Sequence, residues 1–337
     1  MLLVAILFVN FMCALSQFGD LNPNFANLNS IQEITNQWLK FKSDNFKQFS
    51  PEEDTRRFNI FKENLKRIDD YRQKLQAGLI DFRVAITQFA DLTKEEFISK
   101  MLTLKVPEER SKRALPKLNR TIRQISDSVD WRNQGAVTPI KNQKDCSSCW
   151  AFSAVGSLEG QYYKKYGNLI SISEQNLIDC STDGNNRGCN GGWIGNAFKY
   201  LTNNQITAEN EYAYTGTQQM CNNNMGNFKI SIKGYQTIQP DESQLQQAVA
   251  TIGPISAALD ASNLQFYAGG VYRDDDCAVG RVNHGIVIVG YGTESGRDYW
   301  LIKNSWGNQW GEGGYFKLIR NKGNQCNIAS YGMYPNL

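Results

Sequence analysis

Histidine is nearly missing from this sequence, since His284 is the only one among 337 residues. Cysteine pairs with metal-binding spacing are also scarce, because the pair Cys146 and Cys149 is not followed by a second CxxC pair. Structural zinc sites need about four such ligands. We therefore expect no metal site and no cofactor, and His284 is left as the one imidazole that could serve as a base.

A stretch that could span a membrane is also lacking. Residues 1–16 contain no charged side chain and end in Ala14-Leu15-Ser16, which fits a cleavage site. Their apolar run is shorter than the roughly 20 residues that a membrane span needs, and Asn10 interrupts it. The pattern predicts a signal peptide and a chain that enters the secretory pathway, bound for a lysosome-like acidic compartment or for secretion.

A basic stripe with interleaved aromatic residues is absent, which argues against a nucleic-acid partner. The formal net charge is +3, but its distribution is uneven. Residues 17–124 carry 20 Lys and Arg against 15 Asp and Glu, whereas residues 125–337 carry 16 against 18. A basic amino-terminal part beside a slightly acidic remainder is expected of a segment that docks on the rest of its own chain.

Cys149 stands where a polar loop runs directly into an apolar stretch with helical spacing. Apolar residues recur every three or four positions from Phe152 until Gly167, which predicts a helix closed by a glycine cap. Unpaired N–H groups and the helix dipole lower the pKa of a thiol in the first turn. Cys149 is therefore a candidate nucleophile, and the alternative is a structural cysteine beside Cys146.

Two later stretches have the pattern of buried strands with a polar residue at one end. His284 stands at the start of the first, and Asn304 follows the second, which begins at Tyr299. An imidazole at the mouth of a strand fits a positioned base, and an amide can bind one of its nitrogens while the other faces a thiol. Cys149, His284 and Asn304 thus fit the nucleophile, base and orienting residue of a Cys-His-Asn site.

In their order and spacing, these motifs resemble those of papain-family cysteine proteases of the cathepsin L-like branch, over essentially the whole chain. The resemblance implies that Cys149 is the nucleophile, His284 the acid and base, and Asn304 the residue that orients the imidazole. Gln143 and the backbone N–H of Cys149 would form the oxyanion hole, and Trp306 would cover the bond between His284 and Asn304. The implied activity is that of a cysteine endopeptidase made as a zymogen, which hydrolyses peptide bonds through an acyl-enzyme intermediate.

The resemblance also divides the chain into three parts, a signal peptide at residues 1–16, an inhibitory prosegment at residues 17–124 and a mature peptidase domain at residues 125–337. Helical patterns dominate the first part of the mature domain, and short β-rich runs dominate the second. The implied fold is α+β, with a helical lobe and a barrel-like β lobe. We expect a monomer whose partners are protein and peptide substrates and its own prosegment.

Local signals predict three helices and one strand in the prosegment. Capping boxes place helix starts at Ser30, at Ser50 with Pro51 and at Thr93, and alternation predicts a strand over Phe82–Thr87. The segment resembles the helical prosegments of the family at Glu53, Arg57, Phe61, Asn64 and Ile68. It departs from them at Arg72, Ala85 and Thr87, where the family has asparagine, glycine and asparagine.

The sequence has eight cysteines, and removal of Cys13 with the signal peptide leaves an odd number, so that one thiol stays free. The residues alone allow many pairings. By resemblance, the disulfides are Cys146–Cys189, Cys180–Cys221 and Cys277–Cys326. The substrate site implied in the same way contains Gly191, Gly192, Trp193, Ile194, Ala258, Val282, Asn283, Gly285, Trp306 and Tyr331.

Tyr331 is expected to form the floor of the pocket for the second substrate residue before the scissile bond. This pocket favours a hydrophobic residue, and a tyrosine makes it shallow. Relatives that release dipeptides use a second histidine to bind the substrate carboxylate, and its absence here favours an endopeptidase.

Two departures from the family lie beside the nucleophile, because Lys144 and Ser147 stand where it usually has glycine. A non-glycine residue with positive φ costs about 1–2 kcal/mol. The alternative function is therefore a catalytically weakened homologue that acts as a binding protein. Since no histidine lies in the prosegment, we expect acid release to depend on prosegment carboxylates, among them Glu53, Asp91, Glu95 and Glu96.

Overall fold

A computed structural model describes residues 23–107, 125–182, 184, 186–277 and 280–337. The predicted signal peptide and residues 17–22 and 108–124 of the predicted prosegment lie outside these residues. Within them, no helix is long and apolar enough to cross a membrane. The chain forms two compact units, one up to Lys62 and the other from Glu63 onward.

The helices begin and end at residues whose local chemistry explains their boundaries. Thr93 and Glu96 form a reciprocal capping box, with hydrogen bonds of 3.1 and 3.0 Å, and Gly167 closes the helix of Cys149 with a φ of 76°. Both predictions are confirmed. The described helices are α1 (Pro23–Asp44), α2 (Pro51–Gln76), α3 (Lys94–Met101), α4 (Cys149–Tyr166), α5 (Glu174–Cys180), α6 (Ile194–Asn203) and α7 (Glu242–Thr251).

Two predicted boundaries in the prosegment are wrong. The first helix does not start at Ser30, because α1 begins at Pro23 and Ser30 lies inside it. Proline at the first helical position is a start signal in its own right, and a serine three residues before a glutamate also fits a helix interior. The predicted strand over Phe82–Thr87 ends at Val84, where its register shifts.

The first unit is held together by aromatic side chains of α1 and of the first half of α2. Trp38 lies 5.5 Å from Phe41 and 5.3 Å from Phe61 between ring centroids, and all three rings are buried. Within α2, the buried Arg57 side chain donates to Glu53 across 2.6 Å. Helix α2 begins in this unit and ends in the second.

The second unit contains one sheet of nine described strands, with the order β1-β5-β8-β7-β6-β4-β9-β3 and with β2 paired to β6. Among the described strands, β5 and β8 run parallel, and the other pairs are antiparallel. The strands are β1 (Phe82–Val84), β2 (Val129–Asp130), β3 (Gly234–Thr237), β4 (Ile255–Leu259), β5 (Tyr267–Tyr272), β6 (His284–Glu294), β7 (Arg297–Lys303), β8 (Tyr315–Ile319) and β9 (Met333–Asn336). Prosegment strand β1 therefore forms the edge of this sheet beside β5.

Two apolar cores occupy different parts of the second unit. One is built mainly from strands β4 to β8 together with prosegment side chains such as Phe97. The other is built mainly from helices α4, α5 and α6. This separation agrees with the predicted α+β fold of a helical lobe and a β lobe. Helix α4 starts at Cys149 in the helical core, and strand β6 starts at His284 in the sheet.

Candidate active site

Cys149 is the first residue of α4, and its side chain is completely buried. It is the free cysteine of the described chain. The structure joins the other described cysteines in the pairs that the resemblance implies, which are Cys146–Cys189, Cys180–Cys221 and Cys277–Cys326. The bond from Cys146 to Cys189 ties the loop before α4 to the glycine-containing segment at residues 189–192.

Burial raises the pKa of the Cys149 thiol to about 11. Backbone groups of Gly285, Trp150, Cys149 and Thr103 act in the opposite direction but do not outweigh burial. The predicted lowering of this pKa is therefore wrong for the chain with its prosegment in place. Desolvation of a thiolate costs more than a helix terminus returns when no water reaches the site.

His284 and Asn304 form a buried hydrogen-bonded pair. His284 Nε2 lies 2.8 Å from Asn304 Oδ1, and the other ring nitrogen, Nδ1, makes no hydrogen bond to a described residue. Trp306 lies over the imidazole with 4.7 Å between ring centroids and has no solvent exposure. Strands β6 and β7 bring the pair together, because Lys303, next to Asn304, pairs with Val287.

Burial lowers the pKa of His284 to about 4. The Asn304 side chain and the Met101 backbone oppose this shift, but the covered ring remains difficult to protonate. At neutral pH the thiol is therefore protonated and the imidazole is neutral. This is the reverse of the charged pair that thiolate attack requires.

Gln143 is fully buried in the loop before α4, and its amide is oriented by the neighbouring strand end. Ser305 Oγ donates to Gln143 Oε1 across 2.7 Å, which leaves Nε2 as the free donor of the amide. In this structure Nε2 donates to the Cys146 carbonyl across 3.1 Å. Backbone pairing also holds the loop, since Gln143 N donates to Ser305 O across 2.8 Å.

The two departures from the family beside Cys149 differ in their backbone conformation. Lys144 has a φ of 53°, in the left-handed region that favours glycine, whereas Ser147 does not adopt a positive φ. Ser147 instead contacts the prosegment, because its Oγ donates to the Lys100 carbonyl across 3.2 Å. The steric cost expected for a non-glycine residue therefore arises at Lys144 alone.

Prosegment residues Thr103 to Lys105 pass between two walls that each contain predicted substrate residues. Leu104 N donates to the Asn283 carbonyl across 3.0 Å, and Lys105 N donates to the Gly192 carbonyl across 2.9 Å. A Cβ on Gly191 would lie 2.3 Å from the Thr103 carbonyl oxygen, so only glycine admits the chain there. The prosegment thus binds backbone groups of the predicted cleft on both sides.

The prosegment contributes Leu104 to the apolar cluster that contains residues of the predicted specificity pocket. It is buried in the same apolar cluster as four predicted pocket residues, which are Trp193, Ile194, Ala258 and Val282. Tyr331 packs on this cluster and meets Trp193 edge-on, with 5.3 Å between ring centroids. Met333 also belongs to the cluster and was not predicted.

A second prosegment anchor rests on Gln265 of the mature domain. Thr87 Oγ1 donates to the Gln265 carbonyl across 2.7 Å, and Gln265 Nε2 donates to the carbonyls of Phe89 and Leu92 across 3.0 and 2.9 Å. The Phe89 ring meets Trp306 edge-on at 5.4 Å. A threonine in place of the family asparagine therefore still binds the enzyme.

One group of possible metal ligands occurs among the described residues, at Asp274, Cys277 and Cys326. Their ligand atoms are close, but the two sulfurs are joined to each other in a disulfide and cannot act as thiolates. The group therefore lacks the ligand set of a metal centre.

Three contributors to the site were missed by sequence reasoning. Met333 follows two residues after the predicted floor residue and pairs with Ser256 of β4, a pairing that no local signal in the sequence indicates. Ser305 binds Gln143, and the only hint of this in the sequence is that it directly follows Asn304. Tyr214 donates to the Gln143 carbonyl across 2.6 Å, and nothing in the sequence between them indicates that contact.

A free buried thiol at a helix start, a buried histidine-asparagine pair and a prosegment across the cleft define a thiol protease held in an inactive form. The chain belongs to the papain family of cysteine proteases, whose family profile matches residues 125–336. The cathepsin propeptide inhibitor domain matches residues 38–97. The recognised resemblance is thereby confirmed, and the chain is a cathepsin L-like cysteine protease with its propeptide.

Individual relatives agree with this assignment. The chain is 43% identical over 315 residues to cathepsin L1 of Drosophila melanogaster, covering 90% of this chain and 85% of that protein. It is 42% identical over 306 residues to digestive cysteine proteinase 3 of Homarus americanus, covering 89% and 94%. Among solved structures, digestive procathepsin L 3 of the Tenebrio molitor larval midgut matches with a TM-score of 0.80 and 40% identity, over 90% of this chain and 99% of that chain.

Proposed function

We propose that the processed chain is an endopeptidase that cleaves peptide bonds with Cys149 as nucleophile and His284 as acid and base. The observation that carries the proposal is the buried pair of His284 and Asn304 beneath Trp306. Because Nε2 is bound to Asn304, Nδ1 is the nitrogen available to take the thiol proton. The pair fixes the ring without adding a charge.

The reaction follows from these positions. The Cys149 thiolate attacks the scissile carbonyl carbon, and the carbonyl oxygen becomes an oxyanion that accepts from Gln143 Nε2 and the Cys149 N–H. When the carbon–nitrogen bond breaks, His284 gives its proton to the leaving amine and a thioester remains. His284 then removes a proton from water, which attacks the thioester and releases the acid and the free thiol.

The prosegment inhibits in two ways that support its role as an intramolecular inhibitor. Thr103 to Lys105 occupy the backbone-binding walls of the cleft, which excludes a substrate. Burial also leaves Cys149 protonated and His284 neutral. Removal of the prosegment lets water reach both groups, which returns the pKa values of the thiol and the imidazole toward their ordinary range and allows His284 to take the thiol proton for the attack.

We infer a preference for leucine or valine over phenylalanine at the second substrate residue before the cut. Leu104 occupies the apolar cluster of this pocket, and Tyr331 packs on it beside Trp193. Since a methylene is worth about 1–3 kcal/mol in such a pocket, otherwise identical leucine peptides are expected to show a several-fold higher kcat/KM than phenylalanine peptides. Fluorogenic peptides measure this ratio.

Tyr331→Ala is the matched variant for this preference, because it enlarges the floor and leaves the pocket walls intact. It is expected to shift the ratio toward phenylalanine. A wild-type enzyme that prefers phenylalanine would contradict the pocket assignment.

The test of the overall function is active-site titration of the processed chain with an epoxide thiol inhibitor, followed by a peptide hydrolysis assay. Stoichiometric loss of hydrolysis is the expected result. A chain that reacts with the epoxide but cleaves no peptide would instead be the binding-protein homologue. We also propose that the enzyme acts as a monomer in the secretory pathway, in an acidic compartment or outside the cell, and that low pH releases the prosegment.

A further inference from the structure

Tyr214 places its hydroxyl between the two ends of the loop that precedes the nucleophile. Its Oη donates to the Gln143 carbonyl across 2.6 Å and lies 3.0 Å from Ser148 Oγ. Because the single proton of Tyr214 is given to Gln143, the contact with Ser148 needs the Ser148 hydroxyl as donor, and that hydroxyl also lies 3.3 Å from the Cys146 carbonyl. One hydroxyl thus binds the residue that carries the side-chain oxyanion donor and the residue next to Cys149.

The position of Tyr214 is itself fixed by contacts to two other parts of the chain. Its N–H donates to Glu209 Oε1 across 3.0 Å, and its ring meets Phe152 of α4 edge-on at 5.0 Å. The hydroxyl group is therefore held from both the backbone and the ring. Ser148 is completely buried at the N-cap position of α4, yet its side chain makes no capping bond to the helix.

Lys144 lies inside the loop that Tyr214 spans, and it is the strained residue of that loop. Its φ of 53° is unfavourable for a side chain with a Cβ. The Lys144 side chain packs toward Gly216, where a Cβ would meet its Cδ at 3.3 Å. The segment around Tyr214 and Gly216 therefore holds the loop at a conformation that Lys144 does not itself favour.

We propose that Tyr214 is a positioning residue for the oxyanion hole, which holds Gln143 and the start of α4 in place despite the strain at Lys144. The proposal rests on the proposed protease function. Gln143 Nε2 and the Cys149 N–H must converge on one oxygen, and they belong to opposite ends of this loop. Loss of the hydroxyl leaves both donors present but less well placed, which weakens binding of the oxyanion more than binding of the substrate.

Tyr214→Phe is expected to lower kcat about tenfold to a hundredfold with little change in KM, after rates are normalised by active-site titration. Tyr212→Phe is the matched control, because the Tyr212 hydroxyl donates to Asp179 across 2.8 Å and not to a residue of the loop at 143–148. It is expected to keep wild-type kinetics. Ser148→Ala removes the second partner and is expected to lower kcat in the same direction.

Two further readouts separate positioning from general damage. A peptide aldehyde forms an oxyanion on the enzyme, so its affinity is expected to fall with kcat in Tyr214→Phe. The rate of thiol alkylation by iodoacetamide needs no oxyanion hole and is expected to stay unchanged. Lys144→Gly removes the strain and is expected to raise kcat of the Tyr214→Phe enzyme severalfold.

Equal kcat values for Tyr214→Phe and Tyr212→Phe in an active enzyme would overturn the positioning role alone. The same holds if alkylation falls as much as kcat, since the thiol itself would then be disturbed. If Tyr214→Phe fails to fold, Ser148→Ala decides the matter by its kcat and aldehyde affinity. A wild-type chain that cleaves no peptide would remove the proposed function and the positioning role together.

Discussion

Cys149→Ser is expected to abolish peptide hydrolysis, lowering kcat by at least about four orders of magnitude. A serine hydroxyl ionises far less readily than a thiol. The imidazole of His284 is bound by the neutral Asn304 amide and not by a carboxylate, so nothing compensates for the weaker acidity of serine. Full-length chain is therefore expected to persist at acid pH when no other protease is present. Gel analysis over time at low pH measures the persistence, and a fluorogenic peptide measures the rate.

Added wild-type enzyme provides the control for this variant. A trace of it is expected to cut the Cys149→Ser chain, which shows that the variant has a normal prosegment and an accessible cleavage site. Processing of the purified variant alone, at the wild-type rate, would count against self-cleavage through this thiol.

Acid is expected to open the prosegment over the range from about pH 6.5 down to about pH 4, through His284 of the enzyme. In the covered state, in which the prosegment is docked, burial lowers the pKa of this imidazole to about 4. The covered state therefore favours the neutral ring. Its stabilisation of the covered state is complete above the ordinary pKa of about 6.5 and is lost as pH falls through the lowered value. The population of open molecules is expected to rise by up to about two orders of magnitude.

The other shifted groups contribute less in this range. The raised pKa of Cys149 stabilises the covered state at all pH values below about 9, so it gives no dependence between pH 7 and pH 4. Arg57 lowers the pKa of Glu53, and the backbone N–H of Glu95 lowers the pKa of that carboxyl, but both carboxylates are exposed to solvent. Ion pairs and hydrogen bonds of solvent-exposed carboxylates contribute little to stability. The predicted dependence of acid opening on carboxylates is thus joined by a larger expected dependence on His284.

Amide hydrogen exchange of residues 82–107 tests this expectation, once rates are corrected for the intrinsic effect of pH. Cys149→Ser in the full-length chain prevents cleavage during the measurement. Its exchange is expected to accelerate as pH falls, whereas Cys149→Ser with His284→Gln is expected to show a much flatter response. Equal pH profiles for the two would assign acid opening to the carboxylates alone.

The residues of the catalytic site could be proposed from the sequence because each lies at a boundary with a strong local signal. Cys149 starts a helix, His284 starts a buried strand and Asn304 ends one. The α+β class followed from the same periodicities. A boundary without a decisive local signal, such as the start of α1, was placed wrongly.

Contacts between distant residues could not be predicted in the same way. Leu104 meets Asn283 and Tyr214 meets Gln143 only because the folded chain brings them together. The state of Cys149 was missed for a related reason. The pKa of Cys149 depends on its burial in the folded chain. The helix start could be predicted from the sequence, but this burial could not.

The stretch from Thr103 to Lys105 holds the cleft through a leucine and two backbone hydrogen bonds, which is a modest interface. The anchor at Gln265 and the pairing of β1 with β5 hold the prosegment elsewhere, and the tether gives the linked segment an effective concentration of about millimolar. A single cut in the connecting chain removes the tether. Rebinding of the prosegment then depends on its concentration in solution. At low enzyme concentration the first cut therefore leads to lasting activity. At high concentration the severed prosegments rebind and inhibit.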